Sequence, residues 1–407
     1  MGSQSSAKRF VQEALAYDPD LSTAHLMLAS IAKDERDYEL ALEAVNKALK
    51  AEPEWTEARL TRAIVLSYIG RDEDAALDLR AVLKAHPKNV NALSLLISLP
   101  IEAGDKTLAR TILASGILDE QTGLTAISQT FFTANVHKRL GHGDTAWRFF
   151  LAGNEQMQPQ TAEGALKVRT WQQESLVLLK NRGTPRFPDD AALPISLFIL
   201  GASRSGKTTI ESVLAASPAI QHGYESPHIK DALTHAYAAA GFVPTAQLDL
   251  LPEKLYQAFR ERYFAALNDR LKGASIYTNT SPLHIHNAWS LADILPNARF
   301  IFVTRDPIET AVRIFQTHYS SANHYAYTAQ SALEHVHWYA DMIAACMDRF
   351  GDRAIHVDYA RFTQDPKVYR QAFEALLCLK MPFESSLSIA NDSAETNAYR
   401  SLFEALL

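Results

Sequence analysis

The sequence predicts an α + α/β protein. An N-terminal array of paired helices precedes a three-layer α/β domain with a central parallel sheet. Three observations lead there. The first third repeats itself in steps of 34 residues. The apolar run ISLFIL (195–200) leads through a glycine-bounded turn into a helix-patterned stretch. A second apolar run, ARFIFVT (298–304), does the same. Strand-to-helix units of this kind build parallel sheets, because each crossover helix returns the chain to the same edge.

The repeat is carried by several columns in phase. Pro19, Pro53 and Pro87 share it, as do Ala24, Ala58 and Ala92, and Leu15, Leu49 and Leu83. Ala41, Ala75 and Ala109 follow, and Gly70 pairs with Gly104. Small Ala lets two helices approach, Gly permits the turn between them, and Pro stops one unit before the next. A 34-residue helix-turn-helix is the tetratricopeptide period. Gly141 and Ala146 repeat the Gly70-to-Ala75 spacing after a slip, which predicts a further hairpin at about 126–156. Residues 160–180 read as a connecting helix, and RGTPRFPDDAALP (182–194) as a linker. The expected layout is repeats over 1–156, connection over 157–190 and the α/β domain over 191–407. Such arrays expose a concave face for peptide or protein. A homodimer interface, or a wall of the active site, is equally compatible.

Composition excludes several classes. Hydrophobic residues make up 47% and charged residues 21%, an ordinary globular mix. The apolar runs are shorter than a bilayer span needs, so no membrane partner is expected. The polar N-terminus lacks the apolar core of a signal peptide, and a cytoplasmic protein is expected. Two cysteines, Cys346 and Cys378, argue against a disulfide framework. A net charge of −6 argues against nucleic acid as a partner.

GASRSGKT (201–208) fits G-x-x-x-x-G-K-[ST] at each specified position, after a strand and before a helix. Gly201 and Gly206 let backbone N–H groups turn around an anion, and the helix N-terminus adds partial positive charge. Arg204 and Lys207 supply full charges. Ser203, Ser205, Thr208 and Thr209 supply hydroxyls. This is a P-loop-like phosphate cradle. Arg305 emerges at the C-terminal end of the second strand, where open α/β sheets bind ligands. Asp306, Pro307 and Glu309 read as N-cap, N1 and N3 of the next helix.

Together these segments resemble the sulfotransferase family, in its form with an N-terminal tetratricopeptide array. The family's first motif is similar to GASRSGKTTIESVLAASP (201–218) followed by HGYES (222–226), and its second to PNARFIFVTRDP (296–307). HVDYARFTQDP (356–366) resembles a third. The resemblance implies 3′-phosphoadenosine 5′-phosphosulfate (PAPS) as sulfuryl donor and 3′,5′-ADP (PAP) as product, with no metal expected. It places the 5′-phosphosulfate in the P-loop, the 3′-phosphate on Arg305, and the catalytic carboxylate at Glu225, with Lys207 and Arg204 beside it. Departures are Lys207 where the family usually has Thr, Thr280 where it has Lys, Arg313 where it often has Ser, and Ala360 where it has Glu. In one reading Lys207 replaces the ammonium lost at Thr280, and Arg313 binds phosphate with charge. In another the chemistry is altered.

Other patterns are weaker. His284/His286 and His335/His337 are spaced as alternating strand ligands, without a carboxylate or Cys cluster. His318 reads as structural or acceptor-facing. Tyr325, Tyr327, Trp338 and Tyr339 read as acceptor lining or packing. Leu255, Phe259, Tyr263, Leu267 and Leu271 predict a core-facing helix. Three functions compete: PAPS-dependent transfer to a hydroxyl of a peptide, sugar or small metabolite; a P-loop kinase or NTPase using ATP–Mg; and a non-catalytic scaffold. The kinase reading lacks a convincing acidic metal ligand after a strand, with IHVDY (355–359) the nearest candidate.

Overall fold

The computed structural model describes residues 2–99, 105–119, 124–243, 247–319, 323–381 and 396–407, with the side chains of 2–6 and 105 left aside. The chain divides into two compact units, Met1–Met157 and Gln158–Leu407. The expected Gly70–Gly104 pairing falls partly outside the described residues.

The first unit contains α1 (Gly2–Tyr17), α2 (Ser22–Asp34), α3 (Tyr38–Ala51), α4 (Thr56–Tyr68), α5 (Asp72–Ala85), α6 (Val90–Ser98), α7 (Asp105–Ala114), α8 (Ala126–Leu140) and the start of α9 (Gly143–Lys180). The sequence phase is also a backbone phase. Leu21, Trp55 and Asn89, which precede α2, α4 and α6, have φ of −65°, −67° and −69° and ψ of 100°, 105° and 103°. The α2–α3 and α4–α5 turns are left-handed, at Arg36 (φ 63°) and Gly70 (φ 74°). Each is closed by the next amide, Asp37 N to Ala32 O and Arg71 N to Leu66 O, both at 2.9 Å. Ala24, Ala41, Ala58, Ala75, Ala92 and Ala109 are all buried where helices meet.

One expectation changes here. The hairpin ending near 156 and the connecting helix at 160–180 are a single helix, α9, with Pro159 inside it. A proline inside a helix removes one donor and costs about 3 kcal/mol. Side chains hold the helix on both sides of it: just before the proline Gln158 Nε2 donates to Tyr327 O at 3.1 Å, and beyond it the Trp338 indole donates to Gln172 O at 2.9 Å.

The second unit is a five-stranded sheet of order β2-β3-β1-β4-β5, all pairs parallel. Its strands are β1 (Ile195–Leu200), β2 (Ile220–Gln221), β3 (Ile276–Asn279), β4 (Ala298–Thr304) and β5 (Ala354–Asp358). Between and after them lie α10 (Lys207–Leu214), α11 (His228–Ala239), α12 (Tyr256–Leu271), α13 (Ala288–Ile294), α14 (Pro307–Phe315), α15 (Ala329–Phe350), α16 (Tyr359–Gln364), α17 (Arg370–Leu377) and a last helix, Arg400–Glu404. Side chains alternate across each strand. Leu197, Ile199, Ile301 and Val303 pack with Ile210, Leu214, Phe362 and Phe373 of α10, α16 and α17. Phe198, Phe300 and Phe302 face the other way. Phe350 of α15 stands edge-on to Phe300 at 5.0 Å. Truncating one such Phe to Ala costs about 3–5 kcal/mol. The spacing read over 253–271 holds, since Leu255, Phe259, Tyr263, Leu267 and Leu271 are all buried.

The stretch 182–194 is fastened to this unit. Phe187 N donates to Ala292 O at 3.2 Å, Asn297 N to Pro188 O at 3.0 Å, and the Phe187 ring lies 5.2 Å from that of Phe350. The histidine pairs are not strand ligands. His284 ends a 3-10 turn after β3, His335 is buried on α15, and His337 is exposed on the same helix. No group of three His, Cys, Asp or Glu among the described residues is placed to hold a metal ion. No helix among them is long and apolar enough to cross a membrane.

Burial pushes the imidazole of His284 down to about 3, helped by His286; that of His286 to about 4; and that of His335 to about 3, helped by Lys207. Unfolded histidines protonate near pH 6.5, so below that the unfolded chain binds protons that the fold excludes. Stability therefore falls from about pH 6.5 toward 4, by up to about 2 kcal/mol per histidine at pH 5. Urea unfolding at pH 7 and pH 5 should show the midpoint dropping, and equal midpoints would contradict it.

Candidate active site

β1 and β4 are neighbours, with Leu200 opposite Phe302, so the turns that follow them lie side by side at the carboxyl edge of the sheet. Residues 201–206 form the first turn and lead into α10. Arg204 (φ 64°) and Gly206 (φ 96°) are left-handed on either side of Ser205. Gly206 has two reasons to be glycine. A Cβ there would lie 2.0 Å from the Tyr359 ring, and its φ disfavours any side chain. At Gly201 a Cβ would meet Val303 O and Ser205 Oγ, both at 2.6 Å. The Ser205 hydroxyl is buried without a hydrogen-bond partner among the described residues. Ser203 Oγ shares a hydrogen bond with Tyr319 OH at 2.9 Å. Arg204 is exposed, and Thr208 and Thr209 are half-buried on the first turn of α10.

Lys207 is buried, and its ammonium donates to Ala202 O at 2.8 Å. Burial pushes it down to about 8, which Glu225 opposes and Arg204 reinforces. The loop thus holds an ammonium with little hydration to lose, a suitable counter-charge for an anion.

The second turn carries Arg305. Its guanidinium lies 4.8 Å above the Tyr359 ring, and the Tyr359 hydroxyl donates to Thr209 Oγ1 at 3.3 Å. Tyr359 therefore joins the two turns. Asp306 caps α14 by accepting from Glu309 N at 2.8 Å, as the sequence suggests. The Glu309 side chain has a further role that the capping reading missed. It is buried, accepts from Arg305 Nη2, and accepts from Arg313 Nη2 at 3.3 Å. One carboxylate thus gathers two guanidiniums with a net charge of +1. Arg400, from the last helix, donates to Asp306 at 3.1 Å.

Glu225 lies in the turn after β2. Tyr224 (φ 49°) is left-handed, donating from its amide to Glu211 Oε1 at 3.0 Å and accepting from Thr280 N at 2.6 Å. Asn279 Nδ2 ties Ser226 at 3.1 Å. Glu225 acts electrostatically on both Lys207 and Tyr339, which places the three in one neighbourhood.

Tyr325, Tyr327, Trp338 and Tyr339 are buried. A cleft of about 310 Å³ lies between α9 from Gln158 to Gln172 and residues 324–334, with Tyr325 and Tyr327 in its wall. Tyr327 OH donates to Tyr319 O at 3.1 Å, and Tyr319 reaches the P-loop through Ser203. Trp338 and Tyr339 pack against His335 instead.

The two expected anion segments thus meet at one edge, with Gly201, Ser205, Gly206, Lys207 and Thr209 on one side and Arg305 and Arg313 on the other. The sequence reading missed Tyr359 as the joint, Glu309 as the anchor of both arginines and Glu211 as the anchor of the Glu225 turn. The period of α10 does hint at Glu211, because a carboxylate four residues after Lys207 on a buried helix face needs partners.

Residues 194–377 match the sequence model described as the Sulfotransferase family, which spans β1 to the end of α17. No curated protein matches the chain by sequence. Among solved structures, a sulfotransferase from Alicyclobacillus acidocaldarius is 18% identical, with 52% of this chain and 94% of that chain covered and a TM-score of 0.32. The sulfotransferase domain of the Synechococcus PCC 7002 olefin synthase is 15% identical over 55% of this chain and 98% of that one, TM-score 0.28. The sulfotransferase STF9 from Mycobacterium avium is 15% identical over 75% and 88%, TM-score 0.30.

Gly206→Ala should displace Tyr359 and with it Arg305. Isothermal titration with 3′,5′-ADP should show affinity falling at least about tenfold, a loss of about 1.4 kcal/mol. Unaltered affinity would separate Gly206 from the anion site. Lys207 carries its charge below its folded value and loses it above. Affinity should therefore decline as pH rises through about 8, and a flat profile from pH 7 to 9 would exclude the ammonium from binding.

Proposed function

We propose that the chain transfers a sulfuryl group from PAPS to a hydroxyl acceptor. The observation that carries this reading is the meeting of the P-loop and the Arg305–Arg313 pair across Tyr359, within a span that matches the sulfotransferase family. A nucleotide with phosphate groups at both ends needs two anion sites. One phosphate site alone would suit any P-loop nucleotide.

The residues fit the donor. The space kept by Gly201 and Gly206, and the unpartnered Ser205 hydroxyl, form a cradle at the N-terminus of α10. Lys207 would neutralise the oxygen that leaves with the nucleotide, and Arg204 would meet the sulfuryl oxygens. Arg305 and Arg313 would hold the 3′-phosphate. Glu225 would accept the acceptor's hydroxyl proton as the new S–O bond forms and the bond to the phosphate oxygen breaks. Charge stabilisation and positioning then supply most of the rate, as in phosphoryl transfer. Lys207 beside Glu225 supports the idea that this lysine takes over from the one absent at Thr280. The repeated helix pairs read as tetratricopeptide units and offer a surface for a peptide or protein acceptor.

Thermal unfolding should rise with 3′,5′-ADP in EDTA, because a ligand of the folded state adds to stability. A rise with ATP–Mg and none with 3′,5′-ADP would favour phosphoryl chemistry. Incubation with PAPS and a cell extract should yield products heavier by one SO₃. Glu225→Gln should lower turnover by about 10²–10⁴-fold and Lys207→Ala comparably; full turnover in either would remove that residue from the mechanism.

A further inference from the structure

Glu211 is a fully buried carboxylate, 0% exposed, on α10. It sits one helical turn after Lys207, so both side chains leave the same face. Its Oε1 accepts from the Tyr224 amide at 3.0 Å and from the Thr278 hydroxyl. Thr278 Oγ1 in turn accepts from Gly223 N at 2.9 Å. Gly223 fits there only because it has no side chain, since a Cβ would lie 1.9 Å from Thr278 O. Oε2 has no hydrogen-bond partner among the described residues and faces His222 Nδ1 at 3.8 Å. Burying a carboxylate is costly unless it is hydrogen-bonded. One donor belongs to the Glu225 turn itself, at the left-handed Tyr224, and the other to the neighbouring strand β3.

We infer that Glu211 is a positioning residue: it braces the Glu225 turn against the helix that carries Lys207, fixing the spacing between carboxylate and ammonium. This rests on the assignment of Glu225 and Lys207 to the transfer reaction. A misplacement of about 1 Å costs about 10²-fold in rate while leaving binding groups intact. Glutamine keeps the Oε1 acceptor, and its amide nitrogen takes the place opposite His222 Nδ1. Leucine keeps the volume and loses both bonds.

The test compares wild type, E211Q, E211L, T278V and E225Q. Steady-state kinetics with PAPS should show kcat about 10²-fold lower in E211L, donor KM within about twofold, and E211Q within about threefold of wild type. The second readout is the NMR titration of Lys207 in isotopically labelled protein. Glu225 raises the Lys207 value, so its removal in E225Q should lower that value. E211L and T278V should shift it in the same direction. Should wild type transfer no sulfuryl group, the reaction assignment fails while the titration still decides the bracing role. Lys207 titrating in E211L and T278V as in wild type, or indifferent to E225Q, overturns the inference, as does a loss in E211L confined to donor KM. If E211L does not fold, the milder T278V decides.

Discussion

The contact on which the rest of the site depends is the one between Tyr359 and the missing side chain of Gly206. The ring fills the space a Cβ would take, carries the Arg305 guanidinium on its face and reaches Thr209 with its hydroxyl. A single aromatic group therefore sets the distance between two turns that the sheet has only brought near. Parallel pairing of β1 with β4 aligns their ends in one direction, but it does not fix the angle at which the turns leave. Packing against a rigid ring does.

Around this joint the charges, some of them buried, are arranged in groups with a net sign. Glu309 between Arg305 and Arg313, and Lys207 near Arg204 and Glu225, each leave one positive charge over. Partly neutralised clusters cost less to bury than bare cations, and they keep attraction for an anion. Hydroxyls of Ser203, Ser205 and Thr209 line the same edge. On the proposed reading, two such groups match a ligand that carries a charge at each end.

Much of this was written in local patterns. Apolar runs located β1 and β4, glycine spacing located the turn after β1, and the 34-residue phase located the first helix pairs. Such features depend on residues close in the chain. What stayed hidden depends on residues that are distant in it. Nothing near Tyr359 announces that it lies against Gly206, and nothing in TIESVL announces that Glu211 receives an amide from Tyr224. Asp306 and Glu309 show the limit from the other side. The cap geometry was legible, whereas the grip of Glu309 on two arginines needed the helix to be built first. The continuity of α9 through Pro159 was also unreadable, because partners such as Tyr327 and Trp338 come far later in the chain.

The order β2-β3-β1-β4-β5 places β1 at the centre, and its two flanking strands arrive late: Ile195 pairs with Ile276, and Ser196 with Ala298. Closing such long loops is the slow part of folding, and parallel sheets are slow for that reason. Until both partners dock, ISLFIL is a bare apolar ribbon with two open edges. The longer that ribbon waits for its partners, the longer a β-prone apolar edge is open to other chains.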